Sequence, residues 1–174
     1  LHFNGEFKKA VRGYTPAGAL EDAPRAYPGP AGLWRPRNYD GVYHGTTTLR
    51  QALAGSFNAA TLDLANQLGP AALAQFARRL GIQSPLEESL ALALGTSEVG
   101  LLELAGAYAP FANGGFKVQP RLIAAVYDAQ GDVLEFSRFE RESVLDPARA
   151  YLVTSLLESV VKEGTAKDLP GLGF

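Results

Sequence analysis

Thr46-Thr47-Thr48-Leu49-Arg50-Gln51-Ala52-Leu53-Ala54-Gly55-Ser56-Phe57-Asn58 divides the chain into two kinds of sequence. Thr48 and Gln51 stand at capping-box spacing, in which each side chain satisfies an orphan backbone N–H at a helix start. Leu49, Ala52 and Leu53 give that helix one apolar face, and Gly55 supplies a stop. Before it, Pro24, Pro28, Pro30 and Pro36 break any helix, so residues 1–45 read as loop with short extended pieces. After it, apolar spacing predicts helices over 59–68, 70–80 and 101–112, with Pro70 as a first-turn residue and Gly69, Gly81 and Asn113-Gly114-Gly115 as stops. Residues 122–127 and 133–136 read as a β-hairpin around Asp128-Ala129-Gln130-Gly131. Asp146 then caps a last helix with Pro147 at its first position, running to Gly164.

Composition narrows the classes. The chain has 174 residues, 47% hydrophobic and 20% charged, an ordinary globular mixture. Sixteen basic and 18 acidic residues give a net charge of −2, which argues against a nucleic-acid partner held by bulk charge. Cysteine is absent, excluding disulfides, thiolate metal sites and cysteine nucleophiles, and the 2 histidines, His2 and His44, are too few for a histidine metal centre. No apolar run approaches the ~20 residues that span a bilayer. Methionine is also absent, and the chain opens Leu1-His2-Phe3-Asn4, so we expect a piece of a longer protein.

Chemistry concentrates at Gly55-Ser56-Phe57-Asn58, between two predicted helices. On a turn, Ser56 and Asn58 can project into one cleft with Phe57 as an anchor between them. A hydroxyl beside a carboxamide can relay a proton and hold an amide substrate. The alternative is that Ser56 or Asn58 simply caps the second helix, a position both residue types favour. Glu87, Glu88 and Asp63 read as solvated carboxylates, and His44 as a turn or packing residue with no acidic partner at a telling spacing. Tyr27, Trp34, Tyr39 and Tyr43 read as pins holding the proline-rich loop to the core.

Trp34-Arg35-Pro36-Arg37-Asn38-Tyr39-Asp40-Gly41 is followed by His44-Gly45, Thr48-Leu49-Arg50-Gln51-Ala52-Leu53, Ser56-Phe57-Asn58 and Ala77-Arg78-Arg79-Leu80-Gly81-Ile82. Then come Ala91-Leu92-Ala93-Leu94-Gly95-Thr96-Ser97-Glu98-Val99, Leu102-Glu103-Leu104-Ala105 and Ala107-Tyr108-Ala109-Pro110-Phe111-Ala112-Asn113-Gly114-Gly115. In order and spacing, from about residue 13 to 165, this series resembles the transpeptidase domain of class A (bifunctional) penicillin-binding proteins. The resemblance implies an α/β (α+β) fold of the β-lactamase/transpeptidase type, here mostly its helical subdomain plus a β-hairpin. On that reading 1–45 is a loop-rich opening, 46–115 the helical part with S-x-N, 116–140 the hairpin and 146–164 the closing helix.

The family places S-x-x-K, S-x-N and K-T-G around its active site. By resemblance, Ser56 is the S-x-N serine that relays a proton and Asn58 the asparagine that holds substrate. The implied activity is DD-transpeptidation, cross-linking peptidoglycan stem peptides through an acyl-serine, with β-lactams as mimics. No cofactor or metal is implied. The implied location is extracytoplasmic, in a membrane-anchored parent. Residues 1–9, where S-x-x-K is expected, contain no serine; Gly164-Thr165-Ala166 resembles the stretch leading to K-T-G, which these residues do not include. We therefore expect a segment inactive alone; the alternative is a non-catalytic transpeptidase-like module binding peptidoglycan or a cell-wall partner. The literal S-x-x-K at Ser159-Val160-Val161-Lys162 reads as a decoy, because it lies at a helix C-terminus, where the dipole disfavours an alkoxide.

Overall fold

The computed structural model describes residues 14–29, 32–138 and 141–169. Strand alternation decides what the first element buries. Along β1 (Ala19–Asp22), Leu20 and Asp22 face inward, and Ala19 and Glu21 face outward. A small hairpin follows, β2 (Tyr27–Gly29) with β3 (Gly32–Trp34). β4 (Gly45–Thr48) then returns antiparallel to β1, with Leu20 opposite Thr47 and Asp22 opposite Gly45. From residue 14 on, the described part of the proline-rich opening is loop with short extended pieces; residues 1–13 lie outside the described residues.

The predicted capping box is present. Thr48 Oγ1 accepts from Gln51 N at 3.2 Å, Gln51 Oε1 accepts from Thr48 N at 3.1 Å, and α1 (Leu49–Ala54) begins. Next come α2 (Asn58–Leu68) and α3 (Pro70–Leu80), the latter opened by Pro70 and closed by left-handed Gly81. A 3-10 turn (Leu90–Leu94) leads to α4 (Leu101–Ala112). β5 (Phe116–Lys117) pairs with β8 (Glu142–Ser143) around the hairpin of β6 (Ala125–Tyr127) and β7 (Val133–Phe136). The hairpin's first strand is shorter than the sequence suggests. Its ladder ends at the 3.0 Å bond from Ser137 N to Ala124 O, leaving Leu122 and Ile123 unpaired and exposed. α5 (Pro147–Lys162) closes the fold, its N-terminus capped by Asp146, which accepts from Arg149 N at 3.0 Å.

Two apolar clusters hold these pieces. Leu80, Ile82, Ala107 and Val144 join α3, α4 and the segment after β8. Leu20, Ala52 and Ala60 join β1, α1 and α2, with Phe57 packed against them. Leu62 on α2 has no exposed surface, which contributes about 2 kcal/mol relative to leaving it in water. Arg50 ties α1 to α5, donating to Ser155 O at 2.7 Å, Ser155 Oγ at 3.1 Å and Ser159 Oγ at 2.7 Å. Buried Ser159 is therefore a partner of Arg50, while Lys162 pairs with Glu158 at 2.8 Å. The S-x-x-K at Ser159 is a helix-packing feature, as its position predicts.

At Gly115 the chain passes close behind Leu145. A Cβ there would lie 2.1 Å from the Leu145 carbonyl oxygen, and φ is +101°. Gly115→Ala should cost about 3 kcal/mol, from overpacking and left-handed strain together. Gly131, with φ +90° and nothing within 4 Å of where a Cβ would stand, is the control. Gly131→Ala should cost only about 1 kcal/mol. Urea-unfolding midpoints of the two variants measure the difference.

Candidate active site

The turn after α1 is a Schellman motif with an unusual occupant. Phe57 N donates to Ala52 O at 2.9 Å and Ser56 N to Leu53 O at 3.1 Å, the two bonds that define the motif. The left-handed position, which glycine normally fills, is taken by Ser56 at φ +55°. It is the only non-glycine residue with positive φ among those described. Gly55, expected as the stop, sits one position earlier with φ −83°. Its role is space: a Cβ on Gly55 would lie 2.4 Å from the Phe57 ring, which folds back over the turn.

α2 then starts without a cap of its own. Its N-cap residue is Phe57, so neither Ser56 nor Asn58 caps the helix, and the alternative reading of these residues falls. The orphan N–H groups are satisfied from elsewhere in the chain. Ala59 N donates to Asn38 Oδ1 at 3.1 Å and Ala60 N to Asp22 Oδ1 at 3.2 Å. Asn38 Nδ2 donates in turn to Asp22 Oδ2 at 2.6 Å and to Val42 O at 2.8 Å. His44 adds its backbone N at 2.8 Å and ring Nδ1 at 2.9 Å to the same Asp22 Oδ2. A carboxylate only accepts, so Nδ1 carries the proton in that bond. His44 Nε2 lies 3.3 Å from Asp40 Oδ2, and the imidazole stacks on Phe57 at 3.9 Å between centroids, 6° from parallel.

Asp22 has no exposed surface. Burial pushes its carboxyl up, but the bonds from His44, Asn38 and Ala60 outweigh burial and hold it below the ordinary 3.8. It also places a negative charge at the positive end of α2, where the helix dipole favours it.

Ser56 and Asn58 meet at one cleft of ≈ 380 Å³, walled also by Asn38, Tyr39, Asp40, Gly55, Phe57 and Thr165. Asn58 Nδ2 donates to Arg37 O at 3.0 Å, which fixes the amide plane. Ser56 is exposed, and no described residue hydrogen-bonds to its hydroxyl. Thr165 reaches the cleft because its N donates to Ala54 O at 3.1 Å and Gly164 packs against that same carbonyl, with no room for a Cβ.

Two expectations need correcting. His44 does have acidic partners, Asp22 and Asp40, besides its packing role. Asp63 is not solvated: it is buried, pairs with Arg25 and accepts from Gln67 Nε2 at 3.1 Å. Reading the sequence also missed Asp22 and Asn38. The available signal for Asp22 was its place two residues after Leu20 on a strand, which puts it on the apolar face. Tyr27 is buried, as a pin to the core would be; Tyr43 bonds within the loop, to Pro36 O, and Tyr39 is fully exposed at the cleft. Among the described residues, no group of three or more potential ligands is arranged for a metal.

A family model described as the penicillin binding protein transpeptidase domain matches residues 14–172. The chain belongs to the penicillin-binding protein transpeptidase family. It is 37% identical over 171 residues to penicillin-binding protein 1A of Neisseria lactamica, covering 93% of this chain and 21% of that relative. It is 35% identical over 159 residues to penicillin-binding protein 1A of Aquifex aeolicus, covering 90% and 22%. The chain thus spans about a fifth of the length of these relatives. Among solved structures, penicillin-binding protein 1A of Haemophilus influenzae matches with a TM-score of 0.79 at 26% identity, covering 92% of this chain and 29% of that one. Penicillin-binding protein A of M. tuberculosis, as an imipenem acyl-enzyme complex, matches at 0.73 and 25%, covering 90% and 42%. The α/β transpeptidase-like fold class read from the sequence is the class of these neighbours, built here from the strands and helices described above.

In this transpeptidase domain the Asp22 cluster should dominate the acid limb of stability. Folding favours the carboxylate, so its contribution is complete above about pH 3.8 and is lost as pH falls through the lower native value. Asp22→Asn supplies one acceptor where two are used, and should cost about 2–3 kcal/mol at neutral pH. Its stability should also fall less steeply than the parent's below pH 3.8, as measured by urea unfolding across pH.

Proposed function

We propose that the turn at Ser56–Asn58 is the S-x-N element of a serine DD-transpeptidase domain that cross-links peptidoglycan stem peptides. In that reaction the serine of S-x-x-K attacks the carbonyl between two D-alanines, and its lysine takes the proton. The tetrahedral adduct collapses to an acyl-serine as the terminal D-alanine leaves, and its nitrogen needs a proton. The Ser56 hydroxyl both accepts and donates at one oxygen, so it can pass that proton on. An amine of a second strand then attacks the acyl-serine, loses its proton by the reverse route and releases the nucleophile. The Asn58 carboxamide, fixed by Arg37, would bind the donor's peptide group.

One observation carries the proposal. A serine stands where the backbone favours glycine, at a cost of about 1 kcal/mol, and its hydroxyl opens on the cleft that Asn58 shares. The β-lactam acyl-enzyme of the M. tuberculosis neighbour supports β-lactams as ligands of the complete domain. Such chemistry belongs outside the cytoplasmic membrane, in a membrane-anchored parent; no helix among the described residues is long and apolar enough to cross a membrane. A non-catalytic peptidoglycan-binding module is the second reading, and acylation of the full-length protein by penicillin separates the two.

In the full-length transpeptidase bearing this sequence, Asn58→Ala should slow acylation by labelled penicillin about 10²-fold. It should lower stability by only about 1 kcal/mol. Unchanged acylation would remove Asn58 from the site. The 174-residue chain incubated with benzylpenicillin should keep its intact mass. An adduct mapped to Ser56 would make that residue a nucleophile and overturn its role as a relay.

A further inference from the structure

We propose that Asn38, Asp22 and His44 are positioning residues for transpeptidation, which hold the Ser56–Asn58 turn by capping α2 from a separate part of the chain. The proposal rests on the assignment of Ser56 and Asn58 made above. A helix normally carries its own cap, so the phase of its first turn follows its own sequence. Here Phe57 offers none, and the first turn is set by groups on β1 and on the 37–44 loop. Each residue from Phe57 to Ala60 has one such contact. Phe57 lies against the His44 ring, Asn58 bonds to Arg37 O, Ala59 to Asn38 and Ala60 to Asp22.

Asn38 uses every hydrogen-bonding group of its amide except one lone pair, which leaves one orientation. Asp22 uses both oxygens. What remains adjustable at the turn is the side chain of Ser56, since the Asn58 amide is tied to Arg37 O. A displacement of about 1 Å at a reacting group can cost about 10²-fold in rate, so these caps bear on the chemistry without touching substrate.

Two variants and two readouts test this. Asn38→Ala removes the cap on Ala59. His44→Phe keeps a ring over Phe57 and the backbone bond to Asp22 but loses both ring contacts to carboxylates, and it carries the test if Asn38→Ala does not fold. By amide hydrogen exchange on the 174-residue chain, Ala59 and Ala60 should exchange about tenfold faster in both variants, with α5 amides unchanged. In the full-length transpeptidase, the acylation rate constant should fall about 10²-fold while pre-acylation binding of penicillin stays the same. A general loss of folding would move α5 exchange as well, and would not separate rate from binding.

Unchanged exchange at Ala59 and Ala60 would overturn the capping role. Acylation within about twofold of the parent, when Asn58→Ala is slow, would overturn the positioning role alone. If Asn58→Ala leaves acylation intact, the functional assignment falls and this proposal falls with it.

Discussion

A buried carboxylate with all its donors supplied is the constraint on which this half of the molecule depends. Asp22 has no exposed surface, and an ionised carboxylate in such a place costs several kcal/mol unless each oxygen is bonded. Its donors come from two segments distant in sequence from β1: Asn38 and His44 in the loop, and Ala60 in α2. The charge can stay buried only when β1, the loop and α2 are all in place. Desolvation, which destabilises any partial assembly, makes the three segments cooperate. The apolar cluster of Leu20, Ala52 and Ala60 joins the same elements, but apolar contact alone would tolerate small slips. Hydrogen bonds of 2.6–3.2 Å around Asp22 do not.

The same logic runs through the turn. Gly55 is bare because the Phe57 ring lies where a Cβ would be, and the His44 ring stacked on Phe57 helps hold it there. With glycine committed to Gly55, the left-handed position passes to Ser56, where glycine would be cheaper. Backbone strain at a residue with an unengaged hydroxyl supports the relay role proposed for Ser56. The two small deviations from an ordinary helix end, a displaced glycine and a strained serine, therefore have one cause.

Local rules explain why much of the fold was legible in the sequence. The Thr48–Gln51 capping box, Pro70 and Pro147 in first turns, the Asp146 cap and the Gly81 stop act within four residues, so the linear text displays them. The same holds for Ser56 and Asn58 sharing a cleft, since one turn separates them. The clamp behind them was not legible. Asp22 and Ala60, or Asn38 and Ala59, meet only after β1 and the loop have folded, and no local pattern distinguishes a buried Asp22 from an exposed Glu21 beside it except strand phase. His44 read as partnerless for the same reason as regards Asp22, which stands 22 positions away, whereas Asp40, four positions before it, lay within reach of a local reading. Asp63 misled through an assumption about surface carboxylates that the Arg25 pairing overrides. The short first strand of the hairpin reflects another limit, since β-propensity in residues 122–124 cannot create a partner strand.

Which groups are spent and which are left open follows from these contacts. Around the cleft, Arg37 O is occupied by Asn58, Asn38 by Asp22 and Ala59, and Ala54 O by Thr165 N. These bonded groups cannot swing to meet a ligand without breaking something. The Ser56 hydroxyl, in contrast, is bonded to nothing described, and it projects from a left-handed backbone that no other described non-glycine residue adopts. A free proton-carrying group on a rigid mount is what electrostatic and proton-transfer catalysis requires, because the cost of orientation is met on folding rather than in the transition state. On the proposed relay role, the cost of the strained turn and the buried charge is coupled to Ser56: relaxing either would loosen the mount of its side chain.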